Sequence, residues 1–267
     1  MQKSLNTSKW YNNAWAALIY FTRLPLWRMY QPPKSAYRAV VEFWPLAGWL
    51  TGTAMAATLY FGTMVMPHAL AVALAIVVRL LLTGAFHEDG LADFIDGFGG
   101  GGSDRQRVLD IMKDSHIGTY GVLGLPAYLA ILFLCLWSLP AKTAALAIVA
   151  ADPFSKMLAS QLVQMMPYAR NEHEAKAKVV YRKVSVKGGL ALAVQGLLPA
   201  VPLLLFGPAM PFWELVIFVP CLVMYFLYLK MWRTLQGYTG DCCGATFLLV
   251  ELSVYLTICI NLHNAMP

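Results

Sequence analysis

Seven long apolar segments run through this chain, and each approaches the length of about 20 residues that a membrane-spanning helix needs. They lie at roughly 43–65, 69–85, 119–139, 142–165, 188–206, 212–229 and 244–262. Only 13% of the residues are charged, whereas soluble domains carry about 25%. The pattern predicts an all-α fold, a polytopic membrane helical bundle with about seven transmembrane helices, built as a single integral membrane domain over residues 1–267.

The basic residues are distributed unevenly among the polar stretches. If the seven segments are threaded in order, 17 of the 20 Lys and Arg residues lie in stretches that share one side. The positive-inside rule makes this side the cytoplasm, so we expect a cytoplasmic N-terminus and a C-terminus outside. The net charge of +6 then reports topology, and we expect no nucleic-acid partner. The sequence leaves a homo-oligomer open.

Three shorter segments differ in composition from the long apolar ones. Residues 10–25 are amphipathic and aromatic and end at Pro25, which favours a position in the membrane interface over a span. Residues 86–118 are acidic, and residues 166–187 form a basic loop. Threading the seven segments places the acidic segment and the basic loop together on the cytoplasmic face, so we expect the active site there.

The middle of the acidic segment predicts a hinge followed by a short helix. The four glycines at 99–102 indicate flexible chain. Ser103, with Gln106 three residues later, is typical of a capping box that opens a helix over about 104–115.

Four carboxylates, Glu88, Asp89, Asp93 and Asp96, stand within nine residues at the end of the second apolar segment. The whole chain has only 14 Asp and Glu residues, and no Lys or Arg interrupts this run. If residues 86–96 continue the second helix, Asp89, Asp93 and Asp96 share an arc of about 60°. Such like charges repel one another, and a bound Mg²⁺ or Mn²⁺ would remove that cost. The pattern predicts a magnesium site with Asp89 and Asp93 as catalytic residues; the alternative is a solvated helix end.

Other polar residues extend the predicted site. Asp114 and Asp241 are candidate metal ligands. Alternatively, Asp114 lies on the solvent-exposed side of an amphipathic helix, and Asp241 is a helix N-cap. His87, or one spare carboxylate of the acidic run, is the candidate general base. Gly90 would let a pyrophosphate approach beside the carboxylates. The candidate phosphate contacts are three cations, Arg79, Lys113 and Arg170.

Several charged residues can also be explained without a role in function. Arg79 lies inside an apolar segment and would also be explained by snorkelling to the interface, and the basic loop would be explained by topology alone. Asp152 and Lys156 are four residues apart in the fourth segment, and Glu251 lies in the seventh. Ionisable groups at membrane depth are costly and are usually functional or paired, so an intrahelical ion pair is one interpretation of the first two.

Four motifs, in chain order, resemble those of the cobalamin synthase family. They are Phe86-His87-Glu88-Asp89-Gly90-Leu91-Ala92-Asp93 with Asp96-Gly97, Ile111-Met112-Lys113-Asp114-Ser115 with Ile117-Gly118-Thr119-Tyr120-Gly121, Tyr168-Ala169-Arg170, and Thr239-Gly240-Asp241 with Gly244-Ala245. Phe21-Thr22-Arg23-Leu24-Pro25 also resembles the family's N-terminal signature, so the resemblance covers about residues 18 to 251.

The resemblance implies a multi-pass enzyme of the bacterial inner membrane, an adenosylcobinamide-GDP ribazoletransferase. Such an enzyme joins adenosylcobinamide-GDP to α-ribazole, or to its 5′-phosphate, with release of GMP and with Mg²⁺ as cofactor. The hypothesis is a displacement in which the ribazole 5′-oxygen attacks the cobinamide-side phosphorus.

Two other functions are compatible with parts of the pattern. A CDP-alcohol phosphotransferase shares the carboxylate-rich helix end, but its motif has Ala-Arg after the Asp-Gly, where this chain has Leu91-Ala92-Asp93. A transporter would also place charges inside the membrane, but transporters often show inverted repeats, and none is evident in the sequence.

Overall fold

The computed structural model describes residues 9–170 and 180–265, and within these ranges it contains helices and no β-strand. Lys3, Lys176 and Lys178, which contributed to the predicted topology and basic loop, lie outside the described residues. The α-helices are α1 (Trp10–Phe21), α2 (Trp44–Gly62), α3 (His68–Thr83), α4 (Phe86–Gly100), α5 (Arg105–Lys113), α6 (Thr119–Ser138), α7 (Ala141–Ser160), α8 (Leu162–Met165), α9 (Val186–Leu197), α10 (Val201–Phe206), α11 (Leu215–Leu235) and α12 (Gly240–Ala265). Short 3₁₀ helices occupy Leu26–Arg28, Lys34–Phe43 and Leu198–Ala200.

Five helical stretches in the described chain are long and apolar enough to cross a membrane. They are Thr119–Ser138, Ala141–Met165, Val186–Phe206, Leu215–Leu235 and Gly240–Ala265. α3 and α4 pass the same test as one bent pair, which raises the number to six. The 19-residue α2 is a helix, as predicted for its segment, but it is not among the candidate spans. The all-α membrane fold is confirmed, whereas the count of seven and the sides of the two termini stay predictions.

α7 and α12 form the centre of the bundle. In each of these two spans, 78% of the most apolar stretch is buried, whereas the values are 11% for α11 and 17% for Val186–Phe206. α2 packs along α7 and α3, and α4 packs against α12 and α6. The outer helices expose large apolar side chains, as expected where lipid surrounds a membrane protein.

A sharp bend separates α3 from α4. Gly84 (φ 66°) and Ala85 (φ 54°) both have left-handed backbone conformations, and the two helices differ in direction by 90°. Gly84 adopts this conformation without steric cost, and a Cβ there would lie 2.2 Å from Nε of Arg23. The assumption that residues 86–96 continue the preceding helix was therefore wrong. They do form a helix of their own, so the carboxylates keep their helical spacing.

The chain between α4 and α5 is a short turn that lets α5 pack against α4, and the flexibility predicted for the four glycines stays a prediction. Residues 99 and 100 belong to α4, and Gly102 (φ 62°) makes the turn. Asp104 caps α5, because its carboxylate accepts the N–H groups of the second and third helical residues at 2.9 and 3.1 Å. The prediction of Ser103 as the cap was wrong by one residue.

The charged pair inside α7 is a structural ion pair. Lys156 forms an ion pair with Asp152 one turn earlier, and Thr51 donates a hydrogen bond of 2.8 Å to the same carboxylate. The Lys156 ammonium lies 3.9 Å from the centre of the Phe247 ring. Both charges are fully buried and have protein partners, as a buried pair requires.

Candidate functional site

Two glycines allow the acidic helix α4 to cross the start of α12 closely. A Cβ on Gly90 would lie 3.1 Å from Cα of Asp241, and a Cβ on Gly244 would lie 3.3 Å from a backbone oxygen of α4. Larger residues would push the helices apart. The crossing brings Asp241 against the part of α4 that carries Asp89 and Asp93. Gly90 therefore serves helix packing, whereas the sequence had suggested an opening for pyrophosphate.

The three acids near this crossing differ in exposure. Asp89 is exposed, and Asp93 and Asp241 are half-buried. The hydroxyl of Thr239 accepts the backbone N–H of Cys242 at 3.3 Å, so Thr239 caps α12. Of the two roles weighed for Asp241, N-cap and metal ligand, the ligand role remains a prediction.

The other two carboxylates of α4 are engaged with protein groups. Asp96 is buried, and its two oxygens accept the N–H groups of Gly118 at 2.7 Å and Gly121 at 2.9 Å, at the start of α6. Glu88 is buried too, and its Oε1 lies 3.7 Å from Nη2 of Arg79. Among the residues in 9–170 and 180–265, no three His, Cys, Asp or Glu side chains gather around a common metal position.

Arg79 lies in the interior of the bundle, where only 1% of it is exposed. Its Nη1 is 2.6 Å from Oε2 of Glu251, and its Nη2 donates to the hydroxyl of Tyr128 at 3.0 Å. Tyr255 donates to the other oxygen of Glu251 at 2.9 Å. This network joins α3, α4, α6 and α12. The guanidinium is already paired with Glu251 inside the bundle, so the geometry favours a structural role over the predicted phosphate contact.

His87 is enclosed by aromatic rings. Its imidazole stacks on Trp44 and Phe21 at centroid distances of 5.7 and 6.1 Å, and Phe247 presents its edge at 4.9 Å. In the part of the chain that the structure describes, its Nε2 has no hydrogen-bond partner. A general base must come within about 3 Å of the proton that it takes, or act through one water molecule. The predicted role of His87 as base therefore requires that substrate or water reaches this enclosed nitrogen.

A cavity of about 230 Å³ lies between α5 and the beginning of the basic loop. We call it the basic cavity; its lining residues are Arg105, Gln106, Leu109, Asp110, Lys113, Ala169 and Arg170. The predicted phosphate contacts Lys113 and Arg170 thus share one cavity, although they are far apart in the sequence. Arg105 was missed as a candidate, although its position two helical turns before Lys113 was a usable signal.

Tyr168 lies within the electrostatic influence of both Arg170, which lines the basic cavity, and Asp241 of α12. Burial raises the pKa of its hydroxyl to about 12, while the charge of Arg170 lowers this pKa and that of Asp241 raises it. Both charges therefore act on the same hydroxyl group. Two backbone hydrogen bonds hold the segment around Tyr168 against the residues that lead into α12, Ala169 N–H to Tyr238 O at 2.8 Å and Tyr238 N–H to Pro167 O at 3.0 Å.

Asp114 lies just after α5 and is exposed. It accepts the backbone N–H of His116 at 3.0 Å, and Nδ1 of the same histidine lies 2.7 Å from the same carboxylate oxygen. The hydrogen bond from the His116 ring lowers the pKa of Asp114. The carboxylate thus closes a local turn, and its role as a metal ligand stays a prediction.

Comparison with known proteins connects this geometry to a family. A family model described as cobalamin-5-phosphate synthase matches residues 13–259. Relatives named adenosylcobinamide-GDP ribazoletransferase include one from Pseudoalteromonas atlantica, 38% identical over 92% of this chain and 90% of its own length. Another, from Leptospira interrogans, is 32% identical over 95% of this chain and 97% of its own.

A third relative of the same name, from Leptothrix cholodnii, is 36% identical over 90% of this chain and 92% of its own length. No solved structure matches the chain. The family match covers the acidic helix, the basic cavity and the start of α12, and with it the resemblance seen in the motifs is confirmed. The chain belongs to the cobalamin-5-phosphate synthase family.

Proposed function

We propose that this chain transfers the cobinamide phosphate of adenosylcobinamide-GDP to α-ribazole or to α-ribazole 5′-phosphate, which yields adenosylcobalamin or its 5′-phosphate and GMP. The observation that carries this proposal is the pairing of an acidic helix crossing with a basic cavity across Tyr168. Such a pairing suits a reaction in which two phosphate-bearing molecules must meet. The relatives are named as transferases, which argues against the transporter and CDP-alcohol phosphotransferase alternatives.

The attacking atom in this proposal is a ribose hydroxyl other than the 5′ one. The family description names a cobalamin 5-phosphate as product, so a phosphorylated acceptor keeps its 5′-phosphate. In that acceptor the 5′-oxygen is already bonded to phosphorus and cannot be the attacking atom that we had expected, and we assign the same attacking atom to α-ribazole. In the revised step another ribose oxygen forms a bond to the cobinamide-side phosphorus, the bond from that phosphorus to GMP breaks, and the hydroxyl proton passes to a base.

We assign Asp89, Asp93 and Asp241 to hold Mg²⁺, and we assign Asp96 and Glu88 to holding the helices. Mg²⁺ is usually bound by one or two carboxylates, with phosphate oxygens and water as its other ligands. An exposed Asp89 one turn from a half-buried Asp93 fits that donor set, so a preformed cluster of three carboxylates is not required. The ion would supply charge neutralisation at the pyrophosphate.

The chain itself contributes positioning and proton removal. α4 is fixed at both ends of its acidic run, by Glu88 near Arg79 and by Asp96 on α6. The carboxylates between these anchors are therefore held in place before substrate arrives, and such preorganisation is a main source of catalysis in phosphoryl transfer. A carboxylate of this run is a more accessible base than the enclosed His87.

The test is turnover by the purified protein in detergent with adenosylcobinamide-GDP, acceptor and Mg²⁺, followed by chromatography of GMP and corrinoid products. Asp89→Asn should lower kcat by about 100-fold or more, because an amide is a poor ligand for a hard cation. Glu214→Gln is the matched control. It neutralises an exposed carboxylate at the start of α11, whereas the end of that helix, at Leu235, is the part that contacts the basic cavity. Near-normal turnover in Asp89→Asn, with unchanged Mg²⁺ dependence, would contradict the metal assignment.

We also propose that the site faces the cytoplasm of a bacterium, because threading the seven predicted segments places most Lys and Arg residues on the same side as the site. Ser103, in the exposed turn before α5, is a suitable place to introduce a thiol. Ser103→Cys should react with a membrane-impermeant thiol reagent in inverted vesicles and resist it in spheroplasts, with the parent protein as the background. The reverse labelling pattern would place the site outside.

A further inference from the structure

The arginines of the basic cavity are held in place by the protein. Arg105 donates from Nε to the carbonyl of Leu235 at 2.9 Å and from Nη2 to that of Ala169 at 2.5 Å. Arg170 donates from Nη2 to the carbonyl of Leu109 at 3.0 Å. Within the described chain these bonds use two of the five N–H donors of Arg105 and one of those of Arg170. Both guanidinium groups are thus oriented and keep donors for a ligand.

The size and charge of the cavity restrict what this ligand can be. Its volume of about 230 Å³ is large enough to admit a phosphate group with part of a sugar. Its three cations and one acid, Asp110, give a formal charge of +2. Asp110 also accepts a hydrogen bond from Gln106 at 2.9 Å. A phosphate monoester with a charge near −2 matches this charge, whereas each phosphorus of a pyrophosphate diester carries a charge near −1.

We propose that the basic cavity is a binding subsite for the 5′-phosphate monoester of a nucleotide, formed by Arg105, Lys113 and Arg170. This inference rests on the proposed function and deepens it. The subsite holds the 5′-phosphate monoester of the acceptor or of the released GMP, while the acids of α4 and α12 serve the pyrophosphate. The same chemistry, a ribose 5′-phosphate, belongs to the phosphorylated acceptor and to the product GMP.

Lys113→Gln is the variant of choice, because Lys113 is exposed and its side chain is a terminal point charge that lines the cavity. We expect kcat/KM for α-ribazole 5′-phosphate to fall about tenfold or more, and kcat/KM for α-ribazole to stay within about twofold, since a charged hydrogen bond is lost only with the former. The ratio of the two values is insensitive to partial misfolding, which lowers both.

Arg107→Gln is the matched control. Arg107 is an exposed cation on the same helix that does not line the cavity, so both acceptors should be used as by the parent protein. The inhibition constant of GMP is the second measurement. A rise of about tenfold in Lys113→Gln, with an unchanged ratio for the two acceptors, assigns the subsite to the leaving nucleotide instead of the acceptor.

Unchanged acceptor preference together with unchanged GMP inhibition in Lys113→Gln overturns the subsite. Failure of the proposed function has a different signature, because the parent protein would then turn over neither acceptor. In that event calorimetric titration with GMP still decides the inference: weaker binding to Lys113→Gln than to Arg107→Gln supports the subsite, and equal binding refutes it.

Discussion

The buried ion pair between Arg79 and Glu251 allows a test of whether Arg79 stabilises the fold or binds a substrate phosphate. Arg79→Met preserves most of the side-chain volume but leaves Glu251, and nearby Glu88, without their cation. Removing one partner of a buried pair costs about 3–5 kcal/mol, because the remaining charge is left uncompensated. Against a total stability of about 5–15 kcal/mol for a typical domain, this cost is about a fifth or more of the whole.

The second half of the test is a double-mutant cycle. In Arg79→Met with Glu251→Gln the uncompensated carboxylate is removed, so part of the stability should return. The hydroxyls of Tyr128 and Tyr255 still lose charged partners, which retains a cost of about 1–3 kcal/mol. We therefore expect the double variant to be more stable than Arg79→Met alone, with a coupling energy of about 2 kcal/mol or more.

The assay is chemical unfolding of the purified variants in detergent, accompanied by KM for adenosylcobinamide-GDP well below the unfolding temperature. The structure requires a large loss of stability in Arg79→Met and little change of KM in the molecules that remain folded. A variant as stable as the parent protein, with KM raised about tenfold or more, would instead make Arg79 the phosphate contact that its sequence position suggested. That result would refute the reasoning.

Further predictions concern the glycine crossing and two carboxylates. Gly90→Ala should lower the free energy of unfolding by about 1–3 kcal/mol, measured by chemical unfolding, because it forces α4 from α12. Gly189→Ala on α9, where nothing lies within 4 Å of the new Cβ, should instead stabilise by up to about 1 kcal/mol. Asp96→Asn should lower the free energy of unfolding by about 1–3 kcal/mol, because the new amide N–H group faces a backbone N–H group that needs an acceptor. The Mg²⁺ activation constant should stay unchanged, and weakened Mg²⁺ activation would contradict the structural role of Asp96. His116→Ala should raise the pKa of Asp114 toward its ordinary value, followed by carboxyl ¹³C NMR. Because the lowered pKa stabilises the folded state above the unfolded pKa, and that contribution is lost as the pH falls through the folded pKa, the variant should lose this acid-side pH dependence.

Much of the fold could be predicted because it follows from local composition. Long apolar runs must form helices in a bilayer, since the backbone has no other hydrogen-bond partners there. The last five predicted segments accordingly match the five candidate spans. The first two segments differ: α2 is helical but falls outside the candidate spans, and α3 qualifies only together with α4, so the number of spans depends on both.

The bend before α4 could not be predicted from local rules. Ala85 has no intrinsic preference for a left-handed backbone, which costs about 1–2 kcal/mol, so tertiary contacts must hold it there. Arg23, from a distant part of the chain, covers the preceding glycine and donates its backbone N–H to the carbonyl of Leu82 at 2.7 Å. Such a partner is invisible in the periodicity of a single segment.

The candidate site was predictable in its residue types and only partly in its roles. Helical spacing grouped Asp89, Asp93 and Asp96 correctly on α4, but it gave no sign that Asp96 caps α6. The pairing of Arg79 with Glu251 joins residues of the third and the last helix, and the sequence offers no rule for such a long-range choice. Spacing thus identifies which carboxylates lie near one another, and tertiary contacts decide which remain available.

The close crossing at Gly90 and Gly244 has a consequence for the order in which the enzyme becomes competent. Asp89 and Asp93 are synthesised on α4, whereas Asp241 belongs to α12 and is synthesised much later. The nascent chain therefore inserts most of its hydrophobic mass before the reactive centre exists. If the proposed metal site is correct, a polypeptide that lacks α12 has only part of its carboxylates, and turnover requires that α12 has packed against α4.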